Sequence, residues 1–182
     1  MTLRLQRRGL ELPLSVGAGT GVFTGYASLF HKRDAAGDIV MPGAFAESLK
    51  KRGVHNIRML FQHDPAEPVG TWVDIIEDDR GLFVRGRLDR KVQRGRELFS
   101  LLESGGLDGL SIGFKTVFAK QDRGPKTRRI YTIDLWEISL VTFPMLEGAR
   151  VSTVKSRNWA KADSLFAKTE ALNSTRSTLI HG

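Results

Sequence analysis

The sequence predicts an α+β fold, a small antiparallel β-barrel of six to seven strands with helices around it. From about Val22 to Val151, β-rich runs alternate every eight to fifteen residues with turn-rich or helical stretches. This spacing is typical of a compact β-rich core. The chain has 182 residues, of which 41% are hydrophobic. A composition of this kind fits one globular domain with a short appendage.

The strands are predicted where β-branched and aromatic residues cluster between turn signals, and the helices where the apolar period lengthens. The predicted strands are, in order, 3–7 (weaker than the others), 21–30, 57–62, 69–77, 81–88, 107–119 and 129–143. Helices are predicted at 43–51 and at 92–103, where Leu98, Leu101 and Leu102 form an apolar stripe. After residue 154 the sequence turns to Ser, Thr, Lys and Arg, with a short amphipathic stretch at 159–172. We therefore expect a domain over 1–154 and a flexible or processed tail over 155–182.

The composition narrows the function classes. There is no cysteine, which excludes a disulfide framework, a thiolate metal site and a cysteine nucleophile. The start of the chain lacks the sustained apolar run of a signal peptide, and no stretch reaches the ~20 apolar residues of a membrane span. We expect a soluble intracellular protein without membrane contact. The net charge of +8 indicates attraction to anionic partners, such as nucleic acid or an acidic protein surface.

Histidine is the usual general base near neutral pH, and the chain has only four, at positions 31, 55, 63 and 181. His63 ends the β-rich run at 57–62 and precedes Asp64-Pro65, which is a turn signal. Its ring should therefore emerge where a strand meets a loop, a common place for catalytic side chains. A merely solvated strand-end histidine would fit the same pattern.

Ser111 lies in a run that alternates large and small residues. Leu110, Ile112 and Phe114 point to one face, while Gly109, Ser111 and Gly113 point to the other. A serine between two glycines leaves room for a substrate backbone to lie beside the strand. Small residues where another part of the protein passes close would explain the glycines equally well.

Glu137 falls in the strand after Ser111, beyond a polar turn centred near Gly124. A hairpin with that centre sets Ser111 opposite Glu137, with Cβ atoms roughly 5 Å apart, or about 7 Å apart after a two-residue slip. A carboxylate in an apolar strand is costly to bury unless it is paired. Pairing with His63 would make a triad in which His63 takes the Ser111 proton and Glu137 orients the imidazole. An ion pair from Glu137 to Arg129 or Arg150 is the alternative.

Other residues have weaker claims to chemistry. Ser139 shares the face of Glu137, lies opposite Gly109 in that register, and is the reserve nucleophile. Asp34 and Asp38 show a hint of metal-loop spacing without the full calcium-loop pattern, so we interpret them as a plain turn. We expect no metal and no cofactor, because zinc ligands and nucleotide glycine motifs are missing.

Five sequence blocks, in this order and spacing, together resemble the prohead maturation proteases of tailed bacteriophages, and the resemblance covers about 21–155. The blocks are GYASLF at 25–30, DIVMPGAF at 38–45, LFQHD at 60–64, GLSIGF at 109–114 and WEISLVTFP at 136–144. The resemblance implies a serine endopeptidase distantly similar to herpesvirus assemblin, with His63 as base and Ser111 as nucleophile. Assemblins place a second histidine last in the triad, whereas here no histidine follows Ser111 until His181. Glu137 as third member therefore rests on the hairpin and on its motif.

The resemblance also implies a biological setting. The substrate would be the major capsid protein precursor or a scaffold protein, cleaved inside the procapsid in the host bacterial cytoplasm. We expect the enzyme to cleave itself as well, and we keep self-association open. A non-catalytic barrel that binds capsid or scaffold is the alternative. A specific nucleic-acid partner is not expected, because Phe114 and Phe118 are predicted on the packed face instead of among exposed Lys and Arg.

Overall fold

The computed structural model describes residues 21–122 and 127–155. Within them it contains eight strands and two helices. The strands are β1 Val22–Leu29, β2 Asp38–Val40, β3 Arg58–Phe61, β4 Asp64–Glu77, β5 Gly81–Leu88, β6 Gly109–Gln121, β7 Arg128–Val141 and β8 Val151–Lys155. The helices are α1 Ala46–Arg52 and α2 Gln93–Ser104, and a 3₁₀ turn covers Val54–Asn56. The predicted strand at 3–7, the turn around Gly124, His181 and the tail after residue 155 lie outside the described residues.

The predicted elements from residue 21 onward are confirmed to within a few residues, and two short strands were missed. β2 and β8 have only three and five residues, so they are too short to show a clear alternation. β4 begins at Asp64, five residues before its predicted start. β8 ends at Lys155, one residue beyond the predicted domain boundary, and the division at 154 stays a prediction.

All eight strands belong to one sheet, in the order β2-β7-β3-β4-β5-β1-β8, with β6 pairing along β7. The prediction of an all-antiparallel sheet is wrong, because β7 pairs in parallel with both β2 and β3. β7 is long enough to take β2 at Arg128–Ile130 and β3 further along at Glu137–Leu140. The remaining pairs, including the long β6–β7 hairpin, are antiparallel.

The sheet curls, and residues 149–151 bond to the start of β6 on one side and to β1 on the other. The amide of Leu110 in β6 donates to the carbonyl of Ala149 (2.9 Å), and the amide of Val151 donates to the carbonyl of Asp108 (2.7 Å). On the other side, the amide of Tyr26 in β1 donates to the carbonyl of Arg150 (3.2 Å). Because β7 pairs along the other edge of β6, the beginning of β6, where the predicted nucleophile lies, is held on both edges.

One hydrophobic core lies inside the curl, and α2 packs onto it through the predicted leucine stripe. Leu98 and Leu102 are buried, while Leu101 is largely exposed. The helix ends at Gly105, whose left-handed backbone lets its amide reach the carbonyls of Leu101 and Leu102. The largest fully buried side chains come from most strands, from α2 and from the segment before α1: Trp72, Phe23, Phe45, Met59, Leu82, Leu88, Leu98, Leu110, Ile130, Ile133, Leu135 and Ile138.

Candidate active site

His63 lies in the tight turn between β3 and β4. Phe61 and Asp64 pair across the hairpin, so Gln62 and His63 are its two central residues, and both have positive φ (55° and 60°). A two-residue hairpin turn of type I′ requires positive φ at both central positions, where Asn and Gly are favoured. The sequence signal was therefore misplaced by two residues, because Asp64-Pro65 begins β4 instead of forming the turn. The prediction that His63 lies where a strand ends is confirmed.

Two backbone amides of the turn donate hydrogen bonds to β7. The amide of Gln62 donates to the carbonyl of Leu140 (3.0 Å). The amide of His63 donates to the hydroxyl of Ser139 (3.1 Å). A non-glycine residue with positive φ is strained, and such strain persists where surrounding contacts over-determine the conformation. The parallel pairing of β3 with β7 therefore fixes the position of His63.

Ser111 and His63 are in direct contact. The Nε2 atom of His63 lies 2.9 Å from the Ser111 Oγ. Ser111 is 4% exposed, whereas the His63 side chain is 41% exposed. The serine is therefore held in a defined place, and solvent and larger molecules can reach the imidazole edge.

Glu137 completes a relay on the other side of the imidazole. Its Oε1 lies 2.7 Å from the His63 Nδ1, and its side chain is 12% exposed. The alternative ion pairs are wrong, because Arg129 binds Asp122 and Arg150 binds Asp108. A carboxylate on Nδ1 favours the tautomer with a proton there, which leaves Nε2 free to accept the Ser111 proton.

Glu137 also shifts the protonation equilibrium of His63. The hydrogen bond from the imidazolium to Glu137 raises the pKa of His63 above its ordinary value, and the negative charge of Glu137 adds to this. Partial burial opposes the increase but is the smaller effect than the hydrogen bond. The arrangement therefore stabilises the protonated imidazole that forms when His63 takes a proton.

The register of the β6–β7 hairpin differs from the first of the two predicted registers. Ser111 pairs with Ser139, and Glu137 pairs with Gly113, which is the two-residue slip that still keeps Ser111 and Glu137 on one face. Ser139 therefore does not lie opposite Gly109, which pairs with Val141. β-bulges, the first of them between Gly113 and Phe114, alter the count of residues along the hairpin.

Ser139 lies between the Glu137 carboxylate and the backbone of His63, and its hydroxyl bonds to both. It is fully buried, and its Oγ donates to the Glu137 Oε2 (2.6 Å) while accepting from the His63 amide. Its hydroxyl proton is thus already engaged. The His63 Nε2 contacts Ser111 and not the reserve candidate Ser139.

The glycines beside Ser111 do not make the room that the sequence suggested. A Cβ on Gly113 would overlap the carboxylate of Glu137, and one on Gly109 would overlap the carbonyl of Val141. The interpretation that these glycines leave space for a substrate backbone is therefore wrong, and the alternative of a close approach within the protein holds. Gly113 admits Glu137 to the site, a role that no local pattern in the sequence indicated.

A cleft opens beside Ser111 between the start of β6, the end of β1 and the segment 32–38. Its walls are largely apolar and include Leu29, Ile112 and Met145. Met145 and its neighbour Leu146 both line the cleft, and no motif or periodicity in the sequence indicated either residue. A cleft of this kind beside a nucleophile can accept a side chain of a bound peptide.

The remaining candidates have structural roles. The carboxylate of Asp34 accepts from the amide of Asp38 (2.8 Å), and Asp38 binds Arg128, which agrees with the predicted turn. Within 21–122 and 127–155, no three His, Asp or Glu side chains are grouped so that they could hold a metal ion. The prediction that Phe118 lies on the packed face is wrong, because Phe118 is 49% exposed and contacts Tyr131. A bulge between Thr116 and Phe118 interrupts the alternation there.

Comparison with known proteins identifies the family. The model of the Caudovirus prohead serine proteases matches residues 9–164. The chain belongs to this family. The prohead protease of Enterobacteria phage HK97 is 36% identical over 166 residues, which cover 84% of this chain and 72% of that protein. The chain is thus a serine protease with a role in viral head maturation.

One solved structure is similar in fold, and a second gives a weaker match. The capsid assembly protease of bacteriophage T4 has a TM-score of 0.56 at 11% identity, covering 68% of this chain and 82% of that one. The KSHV protease, a herpesvirus enzyme, has a TM-score of 0.48 at 14% identity, covering 71% and 63%. In the described part of the chain, neither helix has the length and apolarity to cross a membrane.

Proposed function

We propose that Ser111 is the nucleophile of this protease, His63 its general base and Glu137 the group that orients His63. The observation that carries the assignment is the continuous relay from Glu137 through His63 to Ser111, with contacts of 2.7 and 2.9 Å. Each distance lies within the range expected for a nucleophile, its base and the orienting group. The family membership supplies the class of reaction.

The relay performs peptide hydrolysis in two stages. As the Ser111 Oγ attacks the scissile carbonyl carbon, its proton passes to the His63 Nε2, and Glu137 stabilises the resulting imidazolium. The imidazolium then donates this proton to the leaving amine, and an acyl-serine remains. A water molecule, deprotonated by His63, then attacks the acyl carbon. The bond to the Ser111 Oγ breaks, and His63 returns the proton to that oxygen as the second product leaves.

We propose the major capsid protein precursor or a scaffold protein as the substrate, cleaved inside the procapsid in the host cytoplasm. The family and the HK97 relative support a head-assembly setting, and the open cleft beside Ser111 supports a peptide substrate. We also propose that the enzyme cleaves itself within 155–182 and self-associates. Closure of the curled sheet into a small barrel is supported by the bonds of Leu110 and Tyr26 to the segment before β8.

Co-expression with the capsid precursor tests the assignment. Ser111→Ala and His63→Ala should each abolish precursor cleavage while the variants remain folded, as judged by circular dichroism. Ser104→Ala and His55→Ala are matched controls, since these residues lie at a helix end and in an exposed turn. Precursor cleavage by Ser111→Ala at the control rate would show that another residue is the nucleophile.

A further inference from the structure

Ser139 connects two parts of the relay that no other described side chain connects. Its hydroxyl donates to the Oε2 of Glu137 and accepts from the backbone amide of His63. It lies directly across the hairpin from Ser111 and is 0% exposed. One buried oxygen therefore contacts both the backbone that carries the base and the carboxylate that orients it.

From this geometry we infer that Ser139 is a positioning residue, which sets the His63–Glu137 pair in its productive arrangement without touching the substrate. The inference rests on the proposed relay and adds a fourth member to it.

The first part of the argument concerns the carboxylate. Glu137 has two oxygens, and its terminal torsion is broad and only weakly restricted by rotamer preference. Because Ser139 holds Oε2 at 2.6 Å, Oε1 is directed at the His63 Nδ1. Without that bond the carboxylate can rotate away from the imidazole. Hydrogen bonds to charged groups are among the stronger ones in proteins, so this restraint is substantial.

The second part concerns the backbone of the turn. His63 has a φ of 60°, a conformation that a non-glycine residue keeps only where its surroundings impose it. The bond from its amide to the Ser139 Oγ is one of those contacts. Loss of the hydroxyl would leave the His63 amide without this acceptor and would loosen the turn.

The charges that act on His63 make the pH dependence interpretable. Glu137 raises the pKa of His63 through its hydrogen bond and its charge, and burial lowers it. The adjacent carboxylate of Asp64 is turned to the amide of Ala66 (2.8 Å). If Ser139 is lost and Glu137 swings away, burial still disfavours the imidazolium, so the pKa of His63 should fall.

Ser139→Ala tests the inference in the full-length enzyme with a peptide from the capsid precursor as substrate. We expect kcat to fall about 10- to 100-fold, the range given by losing a hydrogen bond to a charged group. KM should stay unchanged, because Ser139 is buried. The acid limb of the kcat/KM profile should move to lower pH, because the hydrogen bond and the charge of Glu137 that raise the pKa of His63 are then lost. Long-range ¹⁵N NMR of the imidazole gives the pKa of His63 directly.

Ser48→Ala is the matched control. Ser48 is also buried, and its hydroxyl accepts a backbone amide of β7, that of Leu135 (2.8 Å), two residues before Glu137, instead of a group of the relay. It should lower stability without moving the acid limb. If Ser139→Ala does not fold, Ser139→Cys fills the same space with a weak donor and acceptor, and the same downward shift is expected.

The outcomes separate this inference from the proposed function. A Ser139 variant whose acid limb stays in place or rises, whether or not kcat falls, overturns the positioning role. Ser111→Ala is measured beside it. If the acid limb of the Ser139 variant does not move to lower pH and Ser111→Ala is inactive, the role of Ser139 is rejected while the proposed relay stands. If Ser111→Ala is active, the relay itself is wrong.

Discussion

Replacing Glu137 by Gln removes the charge of the relay and keeps its shape. A hydrogen bond to a charged partner contributes about 1.5–3 kcal/mol, against about 0.5–1.5 kcal/mol for a neutral one. The imidazolium formed during attack should therefore lose about 1–2 kcal/mol of stabilisation. At 1.36 kcal/mol for each factor of ten, this alone slows the reaction about tenfold.

The hydroxyl of Ser139 adds to the effect, because it donates to the oxygen that faces away from His63. In the Gln variant, the amide can keep this bond only by turning its oxygen to Ser139 and its NH₂ group to the His63 Nδ1. That orientation places the imidazole proton on Nε2, next to Ser111, where it cannot act as a base. The productive orientation turns the NH₂ group to the Ser139 Oγ, so the Ser139 hydroxyl loses the acceptor for its proton, which costs about 1 kcal/mol more. We expect kcat to fall about 100-fold in total.

The pH dependence of activity provides a second test, because the direction in which the acid limb moves is predicted. His63 must be neutral to accept the Ser111 proton, so activity is lost as pH falls through its pKa. Glu137 raises that pKa, and Glu137→Gln should therefore move the acid limb to lower pH. The assay is steady-state cleavage of a capsid-precursor peptide between about pH 5 and 9, a range chosen around the ordinary pKa of histidine.

Glu97→Gln is the control for the chemical change, since Glu97 lies on the exposed face of α2 with Arg94. A Glu137→Gln enzyme with kcat close to that of the control would refute the role of Glu137. An acid limb that does not move would show that Glu137 does not set the pKa of His63. Unfolding curves measured in parallel ensure that the variants compared are folded.

Two further predictions concern the packing that supports the site. Gly113→Ala should lower kcat at least tenfold with the fold retained, because a Cβ there would push the Glu137 carboxylate off His63. In the matched variant Gly106→Ala, the new Cβ would meet a movable leucine side chain, so kcat should be close to that of the unmodified enzyme. Equal kcat values in the two variants would contradict the role of Gly113. Leu98→Ala removes a fully buried side chain from the core-facing side of α2. The free energy of unfolding, measured by denaturant titration, should fall by about 2–5 kcal/mol. A loss below about 1 kcal/mol would show that the helix contributes little to the core.

The sequence alone predicted most of the secondary structure and the faces of the site strands. Alternation with period two placed Ser111 on one face of β6 and kept Glu137 on the same side in either register. The position of His63 at a strand end was also readable, because polar residues follow an apolar run there, although the turn lies two residues before its sequence signal. These features are local, so a few neighbouring residues are enough to determine them.

The tertiary structure decided which residues meet. His63 is 48 residues from Ser111 and 74 from Glu137, and it reaches them because β3 pairs in parallel with β7, a pairing that no local pattern indicated. The exact hairpin register depends on bulges, which change the count of paired residues without a clear sequence signal. The hydrogen bonds of Ser139 and the lack of space for a side chain at position 113 follow from that register. Each local pattern is compatible with several neighbouring strands. Long-range strand pairing and core packing determine which of these neighbours is used, and they therefore bring His63, Ser111 and Glu137 together.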